Sequence, residues 1–276
     1  MKVESKITSP LSRAELKNIR SLQTKKGRRL EGRFIAEGIR ILNEAVRFRF
    51  WPEAIYYSHD QIDERGVQLL DTFSDQGVGC RQISTKQLAE ISDTETPQGM
   101  VGVFLTPEYE SEQLFSGRHR IILICDQIAD PGNLGTLFRS ALAFDATAVI
   151  LTGSGAEAYA PKVLRASAGT LFGLEIVRLS TTHAVAMSHS NGFTIIAADS
   201  EGQPLAQSME SMLTDKKVVI AIGSEAEGLS NEIISSANMT VRIGHSAKVE
   251  SLNAAVAGSI LLKEVYVFLG KEKQNV

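Results

Sequence analysis

Residues 241–269 read VRIGHSAKVESLNAAVAGSILLKEVYVFL, and this stretch determines the fold that we predict. The pattern indicates a short strand over Met239–Ile243, a polar loop, and a long apolar helix after Asn253. Open α/β sheets bind ligands in loops that follow the carboxyl ends of buried strands. We therefore expect the functional site in this loop. The helix is apolar around most of its circumference, which predicts burial on several sides.

The composition is that of a globular protein. The chain has 276 residues, of which 43% are hydrophobic and 22% are charged, enough for about two domains. Cys80 and Cys125 are far apart and lie in apolar runs, which favours a reducing compartment over a disulfide framework. No leader pattern opens the chain, and Lys263 and Glu264 interrupt its longest apolar run. We expect a cytoplasmic protein that uses neither a membrane nor a metal.

The charge is unevenly distributed along the chain. Residues 1–50 contain 13 Lys and Arg against 5 Asp and Glu, a net charge of +8. Because the whole chain carries a net charge of −3, the remaining residues carry −11. Such a basic segment suits a phosphate backbone, because neutralised phosphates release counterions. A solvated helix face is an equally good explanation of the charge alone. The candidate RNA-binding residues are Lys17, Arg20, Lys25, Lys26, Arg28 and Arg29.

Two successive alternations of strands and helices predict two α/β domains. In the first, Ser12 and Glu15 form a capping box that starts a helix ending at Gly32. The second begins with a nearly all-apolar strand over Arg120–Asp126, which is typical of a mostly parallel sheet. The predicted boundaries are 1–107 for the first domain, 108–117 for a polar linker and 118–276 for the second domain.

Three motifs in the second domain carry a family resemblance. They are DPGNLGTLFRSALAFD (130–145), IGSEAEGLS (222–230) and VESLNAAVA (249–257). In this order they resemble the SpoU (TrmH) family of RNA ribose 2′-O-methyltransferases, members of the SPOUT class that use S-adenosylmethionine (SAM). PKVLRASAGTLF (161–172) resembles an intervening element of that family, and ITSPLSRAELKNIR and GRFIAEG near the N-terminus are similar to its ribosomal-protein-like substrate-binding domain.

The resemblance implies a C-terminal α/β domain whose mostly parallel sheet forms a deep trefoil knot, with a smaller N-terminal α/β domain. It implies SAM as the cofactor, with the backbone around Gly223, Ile243 and Leu252 lining the adenosine pocket. It also implies a homodimer, formed through the C-terminal domain, whose active site is shared between subunits. The implied catalytic residues are Arg139, Asn133, Glu225, Ser251 and Asn253.

The chemistry of the implied residues refines their roles. Family members' equivalent of Arg139 has been proposed as the base that takes the 2′-hydroxyl proton, but a guanidinium keeps its own proton. We expect Arg139 to orient a phosphate and stabilise the developing alkoxide. Where the family usually has Pro-Met, this chain has Gly244 and His245. A neutral imidazole at 245 is a candidate proton acceptor, and a surface histidine without a role is the alternative.

Other functions are compatible with parts of the sequence. The most favoured substrate is 23S rRNA, and tRNA is the alternative. Gly153, Gly155 and Ala158 form a GxGxxA pattern followed by Glu175, the outline of a nicotinamide-dependent oxidoreductase. A non-catalytic RNA-binding relative is a further alternative, against which the retained motif residues argue. The sequence does not name the target nucleotide.

Overall fold

The computed structural model describes residues 10–115, 120–205 and 217–271. Its strands are β1 (Arg33–Glu37), β2 (Ala54–Tyr57), β3 (Gly79–Gln82), β4 (Met100–Leu105), β5 (Ile121–Asp126), β6 (Ala148–Thr152), β7 (Glu175–Leu179), β8 (Thr194–Pro204), β9 (Val218–Ile222) and β10 (Met239–Arg242). Its α-helices are α1 (Arg13–Ser21), α2 (Lys25–Glu31), α3 (Ile39–Arg47), α4 (Glu64–Asp75), α5 (Thr85–Ile91), α6 (Ser111–Phe115), α7 (Pro131–Ala143), α8 (Pro161–Ala166), α9 (Thr181–Ser190), α10 (Asn231–Ser236) and α11 (Ala254–Lys271).

The chain divides into two compact units. The first runs through Pro107 and also includes Tyr159–Phe172, and the second comprises Glu108–Ala158 and the chain from Gly173 onward. The sheet of the first unit has the order β1-β4-β2-β3. In it β4 is antiparallel to both of its neighbours, and β2 pairs with β3 in parallel.

The first unit begins with two helices where the sequence predicted one. The capping box at Ser12 is present, and its two hydrogen bonds together with Arg81 lower the pKa of Glu15 to about 2. However, α1 ends at Ser21, and Thr24 caps a new helix by accepting a hydrogen bond from the Gly27 amide at 3.1 Å. The prediction of one helix as far as Gly32 was therefore wrong, because a second local cap interrupts it.

Residues 159–172 pack into the core of the first unit, although the predicted boundary placed them in the second domain. The ring of Tyr159 lies 4.6 Å from that of Phe34, and the ring of Phe172 lies 5.2 Å from that of Phe104. In addition, Arg165 forms a 2.7 Å ion pair with Asp93. Aromatic burial and this ion pair explain why the segment groups with a core that is distant in sequence.

The sheet of the second unit has six strands in the order β10-β8-β9-β5-β6-β7, and every neighbouring pair is parallel. Strands β5, β6 and β9 are buried along their whole lengths, as the apolar sequence of the first of them predicted for β5. Helices α7 and α11 pack together, and Ser140 Oγ lies 2.7 Å from Ser259 Oγ between them. The α/β class with a mostly parallel sheet is confirmed.

The predicted linker contains part of the second core. Helix α6 lies within it, and the side chains of Leu114 and Phe115 are buried. The Phe115 ring meets that of Phe193 edge-on at 5.5 Å. The linker prediction rested on the polar residues of this stretch, whereas its two large apolar residues determine its packing. Across the described ranges, none of the helices is both long and apolar enough to span a bilayer.

Candidate active site

One side chain from each of the three motifs meets the other two in the second unit. The Asn133 Nδ2 group donates to Glu225 Oε1 at 2.7 Å. The Asn253 Nδ2 group donates to the same carboxylate oxygen at 2.5 Å and to Asn133 Oδ1 at 3.0 Å. The structure thus brings together three of the five predicted catalytic residues, which are separated by up to 120 positions in the chain. We call these three residues the polar triad.

Helix ends position the two asparagines. Asp130 caps α7, because its Oδ1 accepts a hydrogen bond from the Asn133 amide at 2.8 Å. Asp130 rather than Asn133 therefore caps α7, which leaves the Asn133 side chain available to the triad. Asn253 does cap α11, since its Oδ1 accepts from the amides of Ala255 and Val256 at 3.0 and 3.2 Å. Its amide nitrogen remains directed to the other two members.

A tight loop after β9 presents Glu225. The Ser224 and Gly228 backbones exchange hydrogen bonds of 3.0 and 2.9 Å, which fold residues 223–229 back on themselves. A Cβ atom on Gly223 would lie 2.1 Å from the Gly228 carbonyl carbon, so only glycine fits there. Glycine at 223 is thus required by close backbone approach, and Glu225 occupies the exposed part of the loop.

The other two predicted cofactor residues lie in the loop between β10 and α11. Ile243 and Leu252 are half-buried at its two ends, and residues 244–251 between them are exposed. The Ile243 carbonyl lies 3.0 Å from His245 Nδ1. Loops of exposed backbone beyond the carboxyl ends of parallel strands suit a ligand held by peptide groups. The residues present therefore fit a nucleoside-containing cofactor.

Arg139 and Ser251 do not join the polar triad within the chain. Both side chains are exposed, and neither forms a hydrogen bond or ion pair with any described residue. Arg139 follows Asn133 by six positions on α7, so it lies about 120° around the helix axis from it. The structure thus leaves Arg139 exposed to solvent and apart from the polar triad.

The predicted RNA-binding residues divide into two kinds. Arg28 is buried, and its guanidinium donates to the carbonyls of Leu22 and Gln23 at 3.0 and 2.9 Å, so it braces the turn between α1 and α2. Because its guanidinium is buried, Arg28 is a structural residue of this turn and not one of the exposed candidates for RNA binding. The exposed members of the set are Lys17, Arg20, Lys25, Lys26 and Arg29.

The glycines of the GxGxxA pattern serve packing between two loops. A Cβ atom on Gly153 would lie 2.6 Å from Gln127 Cγ, and one on Gly155 would lie 2.7 Å from the Ile128 carbonyl oxygen. The Arg178 guanidinium donates to the Gly153 carbonyl at 2.7 Å. These contacts account for both glycines without a dinucleotide. Among the described residues, no cluster of three His, Cys, Asp or Glu side chains is arranged to hold a metal ion.

Comparison with known proteins identifies both parts of the chain. The SpoU rRNA Methylase family matches residues 120–263, and the MRM3-like substrate binding domain matches residues 13–102. The 23S rRNA (guanosine(2553)-2′-O)-methyltransferase RlmP of Bacillus subtilis is 28% identical over 90% of this chain and 94% of its own length.

Two solved structures share the fold over nearly the whole chain. The AdoMet-bound rRNA methyltransferase of Sinorhizobium meliloti superposes with a TM-score of 0.81 at 26% identity, covering 94% of this chain and 96% of that one. The SpoU methyltransferase AviRb of Streptomyces viridochromogenes, in complex with AdoMet, gives a TM-score of 0.79 at 26% identity, covering 93% and 98%.

Proposed function

Because the chain belongs to the SpoU rRNA methylase family, we propose that it transfers the methyl group of SAM to a ribose 2′-hydroxyl of 23S rRNA. The relative from Bacillus subtilis is named for this reaction, and two structural neighbours are named as AdoMet complexes. The observation that carries the proposal is the polar triad, in which each of the three motifs supplies one hydrogen-bonded side chain.

The proposed chemistry depends mainly on alignment. Bound SAM supplies an electrophilic methyl group on a sulfonium, which needs no activation by the protein. The amides of Asn133 and Asn253, with the exposed hydroxyl of Ser251, position the ribose in line with that methyl group. Glu225 accepts hydrogen bonds from both amides and so fixes the direction of their oxygens. The backbone at Gly223, Ile243 and Leu252 holds the adenosine.

Arg139 enters this proposal through a second subunit. We propose a homodimer formed through the second unit, in which Arg139 of one protomer approaches the polar triad of its partner. Two observations support it: Arg139 has no bonding partner among the described residues, and α11 leaves the apolar side chains of Val256 and Tyr266 exposed. A guanidinium in that position would stabilise the developing alkoxide.

The first unit supplies the proposed grip on RNA. The exposed basic residues of α1 and α2 face solvent, and their positive charges would attract the phosphates of RNA. The proposed location is the cytoplasm, in agreement with two cysteines that are free and with an RNA substrate. Burial raises the pKa of the Cys125 thiol, which makes it unreactive.

The deciding experiment supplies purified protein with methyl-labelled SAM and three RNAs: protein-free 23S rRNA, 16S rRNA and total tRNA. We expect label in 23S rRNA alone, in a nucleotide that resists alkaline hydrolysis because its 2′-oxygen is methylated. Label in tRNA would show that the chain transfers a methyl group as proposed but that its substrate is tRNA and not 23S rRNA. Binding of RNA without transfer, by protein that also fails to bind SAM, would make the chain a non-catalytic relative and overturn the proposal.

A further inference from the structure

A buried carboxylate lies beside the polar triad's loop and has no place in the site as described so far. Asp126 ends β5 and is fully buried. Its Oδ1 accepts a hydrogen bond from Thr152 Oγ1 at 2.6 Å, and its Oδ2 accepts one from the Ser230 amide at 2.8 Å. Burying a carboxylate is costly, even when it is hydrogen-bonded. If packing alone determined this position, an apolar residue would stabilise the fold more than a carboxylate does.

Asp126 lies next to the start of the Glu225 loop and is hydrogen-bonded to its end. The loop begins at Gly223, directly after Ile222, and Ile222 is paired with Cys125 in the sheet, so Asp126 is the next residue along β5. The loop ends at Ser230, whose amide Asp126 accepts. The contact runs through the backbone, because the Ser230 hydroxyl is buried without a hydrogen-bond partner among the described residues. The carboxylate therefore fixes the position of the main chain at the end of the loop.

We propose that Asp126 is a positioning residue of the active site. Its carboxylate anchors the end of the loop 223–230, and this anchor holds Gly223 at the SAM pocket and Glu225 against Asn133 and Asn253. Thr152 supports the anchor by fixing the other carboxylate oxygen from the neighbouring strand β6. The inference rests on the proposed function, because it takes SAM as the ligand of this loop.

Four variants test whether Asp126 anchors the loop or only contributes to the packing of the core. Asp126→Ala removes both acceptors and leaves the Ser230 amide without this partner in a partly buried place. Asp126→Asn keeps the anchor, because its oxygen can accept from Ser230 while its amide donates to a rotated Thr152 hydroxyl. Thr152→Val removes one of the two supports. Ser230→Ala is the matched control, since it deletes a hydroxyl that has no hydrogen-bond partner in the described part of the chain while retaining the amide.

The primary measurement is the dissociation constant of SAM, determined calorimetrically on the full chain in the absence of RNA. We expect Asp126→Ala to weaken SAM binding by at least about tenfold, Thr152→Val by about threefold, and Asp126→Asn and Ser230→Ala by less than about twofold. Hydrogen exchange gives a second readout: the Ser230 amide should exchange faster in Asp126→Ala than in Asp126→Asn. The KM for RNA should stay unchanged in all four variants.

The outcomes distinguish this inference from the proposed function. If the parent protein binds no SAM, the proposed function fails. If the parent binds SAM and folded Asp126→Ala binds it equally well, the anchor is refuted while the proposed function stands. Should Asp126→Ala fail to fold, Thr152→Val decides, and an affinity equal to that of Ser230→Ala would refute the anchor. An Asp126→Asn variant as weak as Asp126→Ala would show that the charge matters instead of the hydrogen bonds, which also overturns the proposal.

Discussion

At the scale of single residues, Glu225 is the centre of the site because one of its oxygens accepts both asparagine amides. We expect Glu225→Ala to lower the single-turnover rate of methyl transfer about tenfold to a hundredfold, since both amides lose their acceptor. Glu225→Gln should retain most of the rate, because its side-chain oxygen can accept the same two bonds. The measurement is label transfer from saturating SAM.

Glu227 supplies the control for this prediction. It lies two positions further along the same exposed loop, and towards the described residues only its backbone amide is engaged, with Ser224 Oγ at 3.2 Å. Glu227→Ala should therefore react at the parental rate. Equal rates for Glu225→Ala and Glu227→Ala would show that the polar triad does not position the substrate.

The role of His245 as acceptor of the 2′-hydroxyl proton remains a hypothesis, and the hydrogen bond between its ring and the Ile243 carbonyl makes the hypothesis testable. A backbone carbonyl only accepts, so Nδ1 donates to Ile243 and the neutral ring keeps a free lone pair on Nε2. We expect His245→Ala to lower the single-turnover rate about a hundredfold, and added imidazole to restore part of it.

The control for His245 is another surface histidine. The His189 ring lies on α9, with Nε2 3.0 Å from the Ser236 carbonyl, and His189→Ala should react at the parental rate without any effect of imidazole. If His245→Ala and His245→Met both keep the parental rate, His245 is a surface residue without a catalytic role.

At the scale of secondary-structure elements, the turn between α1 and α2 distinguishes a structural arginine from RNA-binding residues. Arg28→Ala should lower the free energy of unfolding by about 1–3 kcal/mol, because one buried and one partly buried carbonyl lose a charged donor. Lys26→Ala should leave stability unchanged and weaken RNA binding, reducing the slope of log affinity against log salt by about 1.

Thermal unfolding and filter binding at several salt concentrations measure the two effects. The prediction is contradicted if Arg28→Ala unfolds at the parental temperature, or if Lys26→Ala binds RNA with the parental salt dependence. The second result would assign the basic charge of α2 to solubility alone.

The same elements show how far the sequence predicts the structure. Local signals worked where both partners are close in sequence: Ser12 and Glu15 formed their capping box, and the uniformly apolar β5 was buried as expected. Local signals were insufficient where packing joins distant segments. The apolar residues of 159–172 indicate burial, but no periodicity tells that Phe172 enters the core of the first unit and not that of the second.

The residues of the candidate site were predicted from the family resemblance and not from a physical pattern in the sequence. Each triad residue looks like an ordinary polar loop residue in its own segment, and 92 positions separate Asn133 from Glu225. Composition and periodicity cannot predict that they meet. Asp126 was not among the predicted site residues, because a single acidic residue at the end of an apolar strand is typical of the start of a turn. The threading of the last helix through a knot also stays a prediction of the resemblance.

At the scale of the whole molecule, the proposed shared active site predicts complementation between two impaired variants. Arg139→Ala abolishes the arginine in both sites of a homodimer, and Glu225→Ala breaks both polar triads. In a mixed dimer, the triad of the Arg139→Ala protomer is intact and meets an intact Arg139 from its partner. Random mixing of equal amounts should therefore restore about a quarter of the parental activity, since half of the dimers are mixed and each has one complete site of two.

Subunit exchange through mild denaturation and refolding of the mixed proteins, followed by the labelled-SAM assay, measures this recovery. Each single variant taken through the same treatment is the control and should keep only its own low residual activity. If Arg139 acts within its own chain, the mixed dimer has one site without the arginine and another without the carboxylate, so mixing restores nothing. Because Arg139 is exposed and bonds no described residue, we expect recovery, and its absence would place the functional partner of Arg139 in the RNA or within the same subunit.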